Sequence, residues 1–231
     1  MRITEVRKQL FKTIIFEHRL DESKNTHLEH LEDLIYNEGY EGAKQSINYL
    51  YSLYEMLKGK TDKGLNITTK WDGKPAVFVG TDPADGKFFV GTKSVFNKNP
   101  LLNKSTKDID ANHPDTEKQG ERISKAGLRE KLKYAYTYLK DLNIQGVLQG
   151  DLLFTDKDLT TEVIDGEEFI VFKPNALIYA VPKESDLAKE IQSAKIGIVF
   201  HTSYQGSSLE DMDAKFGFDA SKLSKSPNVW F

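Results

Sequence analysis

Covalent chemistry is best served by Thr68-Thr69-Lys70-Trp71-Asp72-Gly73, which stand where one strand pattern ends and a tight turn opens into the next. The chain has no cysteine, which excludes disulfides, Cys-based zinc sites and thiol nucleophiles. Lys, Ser, Thr, Asp, Glu and His remain to carry any reaction. A lysine amine titrates near ~10.4 and is almost wholly protonated at neutral pH, so a site that uses Lys70 as a nucleophile must favour its free form. A divalent metal and basic neighbours would do so. The same residues also suit a plain β-turn, with Asp72-Gly73 at its corner and Lys70 as a solvated strand end. A K-x-D-G match arises by chance in a chain of this length with a probability of about 0.05, so the motif needs support from its surroundings.

Three other groups invite a chemical reading. Lys118, Arg122, Lys125, Arg129 and Lys133 recur at spacings that would place them on one face of a helix, either as a track for nucleic-acid phosphates or as a solvated face. His27 and His30 lie one helical turn apart beside Glu29 and Glu32, but no third metal ligand accompanies them, and a packed or solvated helix face accounts for them. Asp82 and Asp85-Gly86 lack the alternating oxygen ligands and terminal Glu of a calcium loop and read as a hairpin turn.

The elements that must position these residues divide the chain near residue 60. Residues 1–60 read as helical: Leu28, Leu31, Leu34 and Ile35 follow Thr26 as N-cap and Glu29 as its capping partner. A second helix is predicted over Glu41–Leu57 with Ala43, Ile47, Leu50, Tyr54 and Leu57 on its inner face. From Gly64 the period becomes two. Asn66–Lys70, Pro75–Gly80 and Lys87–Gly91 are predicted strands, the last two joined by a turn over 81–86. Residues 97–120 are polar and read as a long loop, followed by a helix over about 121–142. Gly146–Phe154, Glu168–Val171, Ala176–Val181 and Ile196–His201 are predicted strands, with Asp165-Gly166 at a turn and a helix over Ser185–Ser193. The 231 residues are 39% apolar, enough for a substantial core, and no signal peptide or run long enough to span a membrane is legible. A soluble, intracellular protein is expected. The formal charge of −3 argues against a nonspecific nucleic-acid coat but leaves room for a local basic groove.

Four segments downstream of Lys70 complete a pattern that resembles the superfamily of ATP-dependent DNA ligases, RNA ligases and mRNA capping enzymes. The resemblance implies that Lys70 is the nucleophile that attacks ATP and carries AMP, with Thr69, Asp72 and Gly73 around the bound nucleotide. It assigns Lys93, in Phe88-Phe89-Val90-Gly91-Thr92-Lys93-Ser94, to the basic motif that touches phosphate or ribose. Asp151, in Val147-Leu148-Gln149-Gly150-Asp151, stands where the superfamily has a glutamate that contacts ribose or metal. Phe172 and Tyr179 are offered for stacking on the purine, with Tyr179 preferred, and Lys173 joins the nucleotide-binding set. After that point the superfamily has a second acidic motif and a pair of catalytic lysines; Lys195-Ile196-Gly197-Ile198-Val199-Phe200-His201 has the apolar run without the glutamate. Either these motifs are divergent or the domain is truncated on its C-terminal side, as the ending Trp230-Phe231 suggests. Residues 27–34 and 70–98 also resemble a group of tailed-phage ligase-like proteins, which implies a viral enzyme of nucleic-acid repair or processing acting in the host cytoplasm.

The fold implied is α+β: mainly antiparallel, twisted sheets forming a nucleotidyltransferase (ATP-grasp-like ligase) core over 61–231, after an N-terminal helical region over 1–60. The implied cofactors are ATP and Mg²⁺ or Mn²⁺, and the implied partners are RNA or DNA ends or nicks, RNA slightly favoured, with no membrane. A capping-type guanylyltransferase and a catalytically silent nucleic-acid-binding or virion-associated protein that keeps the fold are the alternatives.

Overall fold

The computed structural model describes residues 31–59 and 71–231. Its first element, α1 (Leu31–Leu57), is broken at Gly39, where φ is 59° and ψ −128°, a backbone conformation that glycine alone adopts at little cost. The chain reverses there, and Ser46 Oγ donates to the Leu31 carbonyl at 2.9 Å from the other arm. The arms meet through Gly42 and Ser46, because a β-carbon on Gly42 would lie 1.8 Å from the Leu34 carbonyl oxygen. This corrects the predicted inner face: Ile47 and Leu57 are 66% and 72% exposed, and only the small residues permit so close an approach. Thr26, Leu28 and Glu29, His27 and His30, and the predicted strand Asn66–Lys70 all lie outside the described residues.

The remaining elements are, in order, β1 (Ala76–Thr81), β2 (Phe88–Gly91), α2 (Thr106–Asn112), β3 (Thr116–Lys118), β4 (Glu121–Ile123), α3 (Ala126–Leu139) and β5 (Val147–Thr155). Then come β6 (Thr160–Ile164), β7 (Glu167–Phe172), β8 (Tyr179–Pro182), α4 (Asp186–Ser193), β9 (Ile196–Gln205), β10 (Asp213–Phe216) and β11 (Val229–Trp230). The main sheet has the order β10-β9-β5-β1-β2 with antiparallel neighbours, and β11 adds a parallel pairing on β9. A smaller antiparallel sheet is formed by β6, β7 and β8. The protein is therefore a mixed α+β structure with antiparallel sheets. Among the described residues no helix is long and apolar enough to cross a membrane.

Period-two alternation sorts the main sheet's side chains into two faces. Val77, Val79, Leu148, Leu152, Ile196 and Ile198 pack against Leu132, Ala135 and Leu139, which α3 presents at helical spacing. Phe78, Phe89, Val147 and Tyr204 point the other way, under Val95, Leu209 and Met212. A third cluster joins the end of β5 to the small sheet through Leu153, Phe154, Ile170, Phe172 and Val181, closed by Ala188 and Ile191 of α4. The two sheets thus meet at the C-terminal half of β5.

Three expectations are corrected. Residues 97–120 are not one long loop: buried Asn103 pairs with Val90 through backbone bonds of 3.0 and 3.1 Å and donates its side-chain amide to the Val90 carbonyl at 2.8 Å. That anchor is followed by α2, capped by Ser105, and by the β3–β4 hairpin. The helix expected from about 121 begins at Ala126, because 121–123 belong to that hairpin. Finally, Asp165-Gly166 turns between β6 and β7, with φ of 51° and 87° as a tight hairpin requires, so β6 is a strand that the alternation did not reveal. All five of its residues are exposed, and no apolar face marks it.

Candidate functional site

The segment Trp71-Asp72-Gly73 is held at the junction of the two sheets by contacts to both. The Asp72 backbone N–H donates to Tyr179 Oη at 2.7 Å. Its carboxylate accepts from Asn175 Nδ2 at 2.9 Å and from the N–H groups of Ala176 and Leu177 at 3.0 and 3.3 Å. The three donors belong to the β7–β8 connection and the acceptor Tyr179 to β8, so Asp72 ties the turn to the small sheet. Trp71 packs on Tyr179 and Trp230, with ring centroids at 4.9 and 5.6 Å.

Toward the main sheet, Gly73 lies against β5. A β-carbon there would approach Asp151 Cβ to 2.6 Å and the Asp151 carbonyl carbon to 2.9 Å, so only glycine fits. The chain then enters β1 through Lys74 N–H to Leu152 O at 2.9 Å and Leu152 N–H to Pro75 O at 3.1 Å. Asp151, opposite Ala76 across the β1–β5 pair, therefore borders the turn directly.

Around Asp151 the sheet is irregular. Gln149 pairs with Thr202 but Gly150 pairs with Phe200, which leaves His201 as an extra residue on β9. Such a bulge re-aims a side chain. His201 Nε2 comes to 3.9 Å from Asp151 Oδ2, while its Nδ1 lies 2.8 Å from the hydroxyl of buried Thr202. Further along this face, Tyr204 Oη donates to Gln149 Oε1 at 2.8 Å. Sequence reasoning missed His201, since a bulge leaves no mark on apolar periodicity.

Lys70 and Thr69 lie outside the described residues. Of the other residues singled out by resemblance, Asp72, Gly73, Asp151 and Tyr179 come together as above. Lys93 is exposed at the start of a 3₁₀ turn over Lys93–Phe96. The end of that turn covers the face that carries Gln149, with the Phe96 ring 5.4 Å from Phe78 and 4.8 Å from Tyr204. Phe172 is 1% exposed, stacked at 5.3 Å on Tyr179 and 5.1 Å from Phe154, so its ring is occupied by its neighbours. Lys173 is exposed just beyond β7.

The five basic residues do not form one helical face, which is a further correction. Lys118 is on β3, Arg122 on β4, Lys125 precedes α3, and only Arg129 and Lys133 lie on that helix. Arg122 and Arg129 each reach Asp115 at 2.8 Å, and Lys133 reaches Asp110 at 2.7 Å. The two guanidinium contacts, with the Lys125 N–H, hold the Asp115 carboxyl well below the usual carboxylate range; the N–H bond contributes most, then Arg129, then Arg122. The Asp82–Asp85 turn is a hairpin corner as read, and Lys104 Nζ bridges both carboxylates at 2.6 and 2.9 Å. Among the described residues no group of three or more His, Cys, Asp or Glu is arranged to hold a metal ion.

Neither a curated protein nor a solved structure matches the chain. A family model does, over residues 25–231, and the chain belongs to that family of unknown function (DUF6267).

Proposed function

We propose that the chain is a covalent nucleotidyltransferase of the polynucleotide ligase type, with Lys70 as its nucleophile and RNA or DNA ends as its acceptors. One observation carries the reading: Trp71-Asp72-Gly73, directly after Lys70, is fixed on one side by Asp151 and on the other by Tyr179 and Asn175. The motif segments are far apart in sequence, and a solvated β-turn would have no need of them together. The turn is also over-determined: a carboxylate with three N–H donors and a glycine that admits no side chain are features of a pre-organised site.

In the proposed reaction the free amine of Lys70 attacks the α-phosphorus of ATP. A P–N bond forms, the P–O bond to pyrophosphate breaks, and the amine gives up a proton. AMP then passes from Lys70 to a 5′ phosphate: the P–N bond breaks as a P–O bond to that phosphate forms, and the departing amine takes up a proton. Asp72 fixes the turn that precedes β1, and exposed Lys93 supplies positive charge for phosphate. Asp151 is partly exposed and fits the role of a divalent-metal ligand, because an ion that bridges to phosphates takes one or two carboxylates and leaves its other positions to water and substrate oxygens. A bound divalent ion would neutralise charge on the β and γ phosphates.

The test is incubation with ATP, and in parallel with GTP, in Mg²⁺ or Mn²⁺, followed by intact mass and peptide mapping. The expected result is AMP on Lys70 as a phosphoramidate, labile in acid and stable in base. Lys70→Arg should abolish it, since a guanidinium stays protonated. AMP on another residue, or undiminished labelling of Lys70→Arg, would overturn the assignment; transfer of GMP alone would favour a capping-type activity, and no labelling with retained nucleic-acid binding would favour a silent binder.

A further inference from the structure

We propose that Asp151 and His201 form a two-residue divalent metal site that takes Mn²⁺ in preference to Mg²⁺. The inference deepens the nucleotidyl-transfer reading by naming the ion, and rests on that reading only for what the ion does. The site itself follows from the fold. In a regular antiparallel pair His201 would alternate away from Thr202, yet the register slip between Gln149 and Gly150 makes it the unpaired residue of a bulge. It turns instead toward Asp151, two positions along β5 from the Gln149–Thr202 pair. Bulges that re-aim a side chain are costly interruptions of a ladder, and this one sets an imidazole opposite a carboxylate.

The two groups are close without being bonded. At 3.9 Å, Nε2 and Oδ2 are too far apart for a hydrogen bond. Two ligand atoms each about 2.1 Å from one ion and at right angles are about 3 Å apart, so a small rotation of either side chain brings both into a coordination sphere. The remote ring nitrogen is held in the manner of metal-bound histidines: Nδ1 lies 2.8 Å from the hydroxyl of Thr202, which is fully buried and cannot drift. With Nδ1 as donor in that contact, Nε2 presents its lone pair to Asp151. Both side chains keep access to solvent, at 24% for His201 and 31% for Asp151, which leaves room for water or phosphate oxygens in the remaining positions.

The choice of ion follows from the donors. Mg²⁺ is a hard cation that prefers an all-oxygen sphere and gives up water reluctantly. Mn²⁺ suits carboxylate and water as Mg²⁺ does, but as a first-row transition ion it also stands at the start of the series whose affinity for nitrogen donors rises toward copper. A mixed nitrogen and oxygen pair therefore discriminates against Mg²⁺, although Mg²⁺ is the usual partner of phosphates.

The experiment uses the full chain without nucleotide. Substoichiometric Mn²⁺ is added while the ring signals of the five histidines, His18, His27, His30, His113 and His201, are followed by NMR. The His201 signals should broaden first, a tenfold excess of Mg²⁺ over Mn²⁺ should not reverse the effect, and Asp151→Asn should raise the Mn²⁺ needed at least tenfold. Earlier broadening of another histidine, displacement by the Mg²⁺ excess, or no change in Asp151→Asn would overturn the proposal. Should Asp151→Asn fail to fold, the wild-type order of broadening and the Mg²⁺ competition decide alone. Loss of the Lys70-AMP assignment with His201-centred Mn²⁺ binding intact would remove nucleotidyl transfer and leave the metal site standing.

Discussion

The backbone N–H of Asp72 donates to the hydroxyl of Tyr179 at 2.7 Å, and this contact joins the turn after Lys70 to a strand of the other sheet, 107 residues away. Together with the three donors on the Asp72 carboxylate, it converts a short turn into a rigid bridge between the main sheet and the small one. A fixed entry into β1 also fixes Gly73 against Asp151.

Tyr179→Phe keeps the ring that stacks on Phe172 and packs on Trp71 but removes the acceptor, leaving a partly buried N–H unsatisfied. The expected loss of stability is about 1–3 kcal/mol by denaturant unfolding, with labelling of Lys70 reduced on the order of tenfold. Asp72→Asn should act in the same direction, because an amide nitrogen cannot accept from Asn175, Ala176 or Leu177. Wild-type stability and labelling in both variants would mean that the turn is set without this bridge.

Much of this arrangement was legible in the sequence where apolar alternation was strong. β1, β2, β5 and β9 lie where Val77, Val79, Phe89, Leu148, Leu152 and Ile198 mark them, and α4 falls within the helix expected over Ser185–Ser193, with Ser185 as its N-cap. The parts that escaped share a physical cause: their order depends on polar groups. Asn103 is buried by hydrogen bonds to Val90, so the surrounding sequence carries no apolar period to reveal α2 or the β3–β4 hairpin. His201 faces Asp151 only through a slip in pairing, a relation between two strands that neither encodes alone. The basic run misleads because spacings of three and four residues fit one helix, whereas Lys118 and Arg122 lie on paired strands with Glu121 and Glu117 opposite them.

Stability should depend on pH through Asp115, whose carboxyl takes the Lys125 N–H and the guanidinium groups of Arg129 and Arg122 while its side chain is 18% exposed. Its folded pKa is depressed, so the stabilising contribution is present above the unfolded carboxylate value of about 3.9 and is lost as pH falls from there toward the folded value. Asp115→Asn should therefore melt below wild type by a constant margin between neutral pH and about pH 5, and the margin should shrink on further acidification. A margin independent of pH down to acid denaturation would show that shape rather than charge makes the contribution.

The same carboxylates dictate how a nucleic-acid track must be tested. Arg122, Arg129 and Lys133 are already paired with Asp115 and Asp110, so replacing them would weaken the fold and confound any change in binding. Lys118 is exposed on β3, and Lys125 contributes only its backbone N–H to Asp115 among the contacts described for that carboxylate. If this edge tracks phosphates, Lys118→Gln with Lys125→Gln should leave thermal unfolding and Lys70 labelling unchanged while weakening nucleic-acid binding. Each lost phosphate contact should also flatten the dependence of log K on log salt, by about 0.9 for a duplex and about 0.7 for a single strand. Fluorescence anisotropy across a salt series measures both quantities at once. Unaltered affinity and slope in the double variant would make these lysines a solvated edge, and would confine any nucleic-acid contact to another part of the chain.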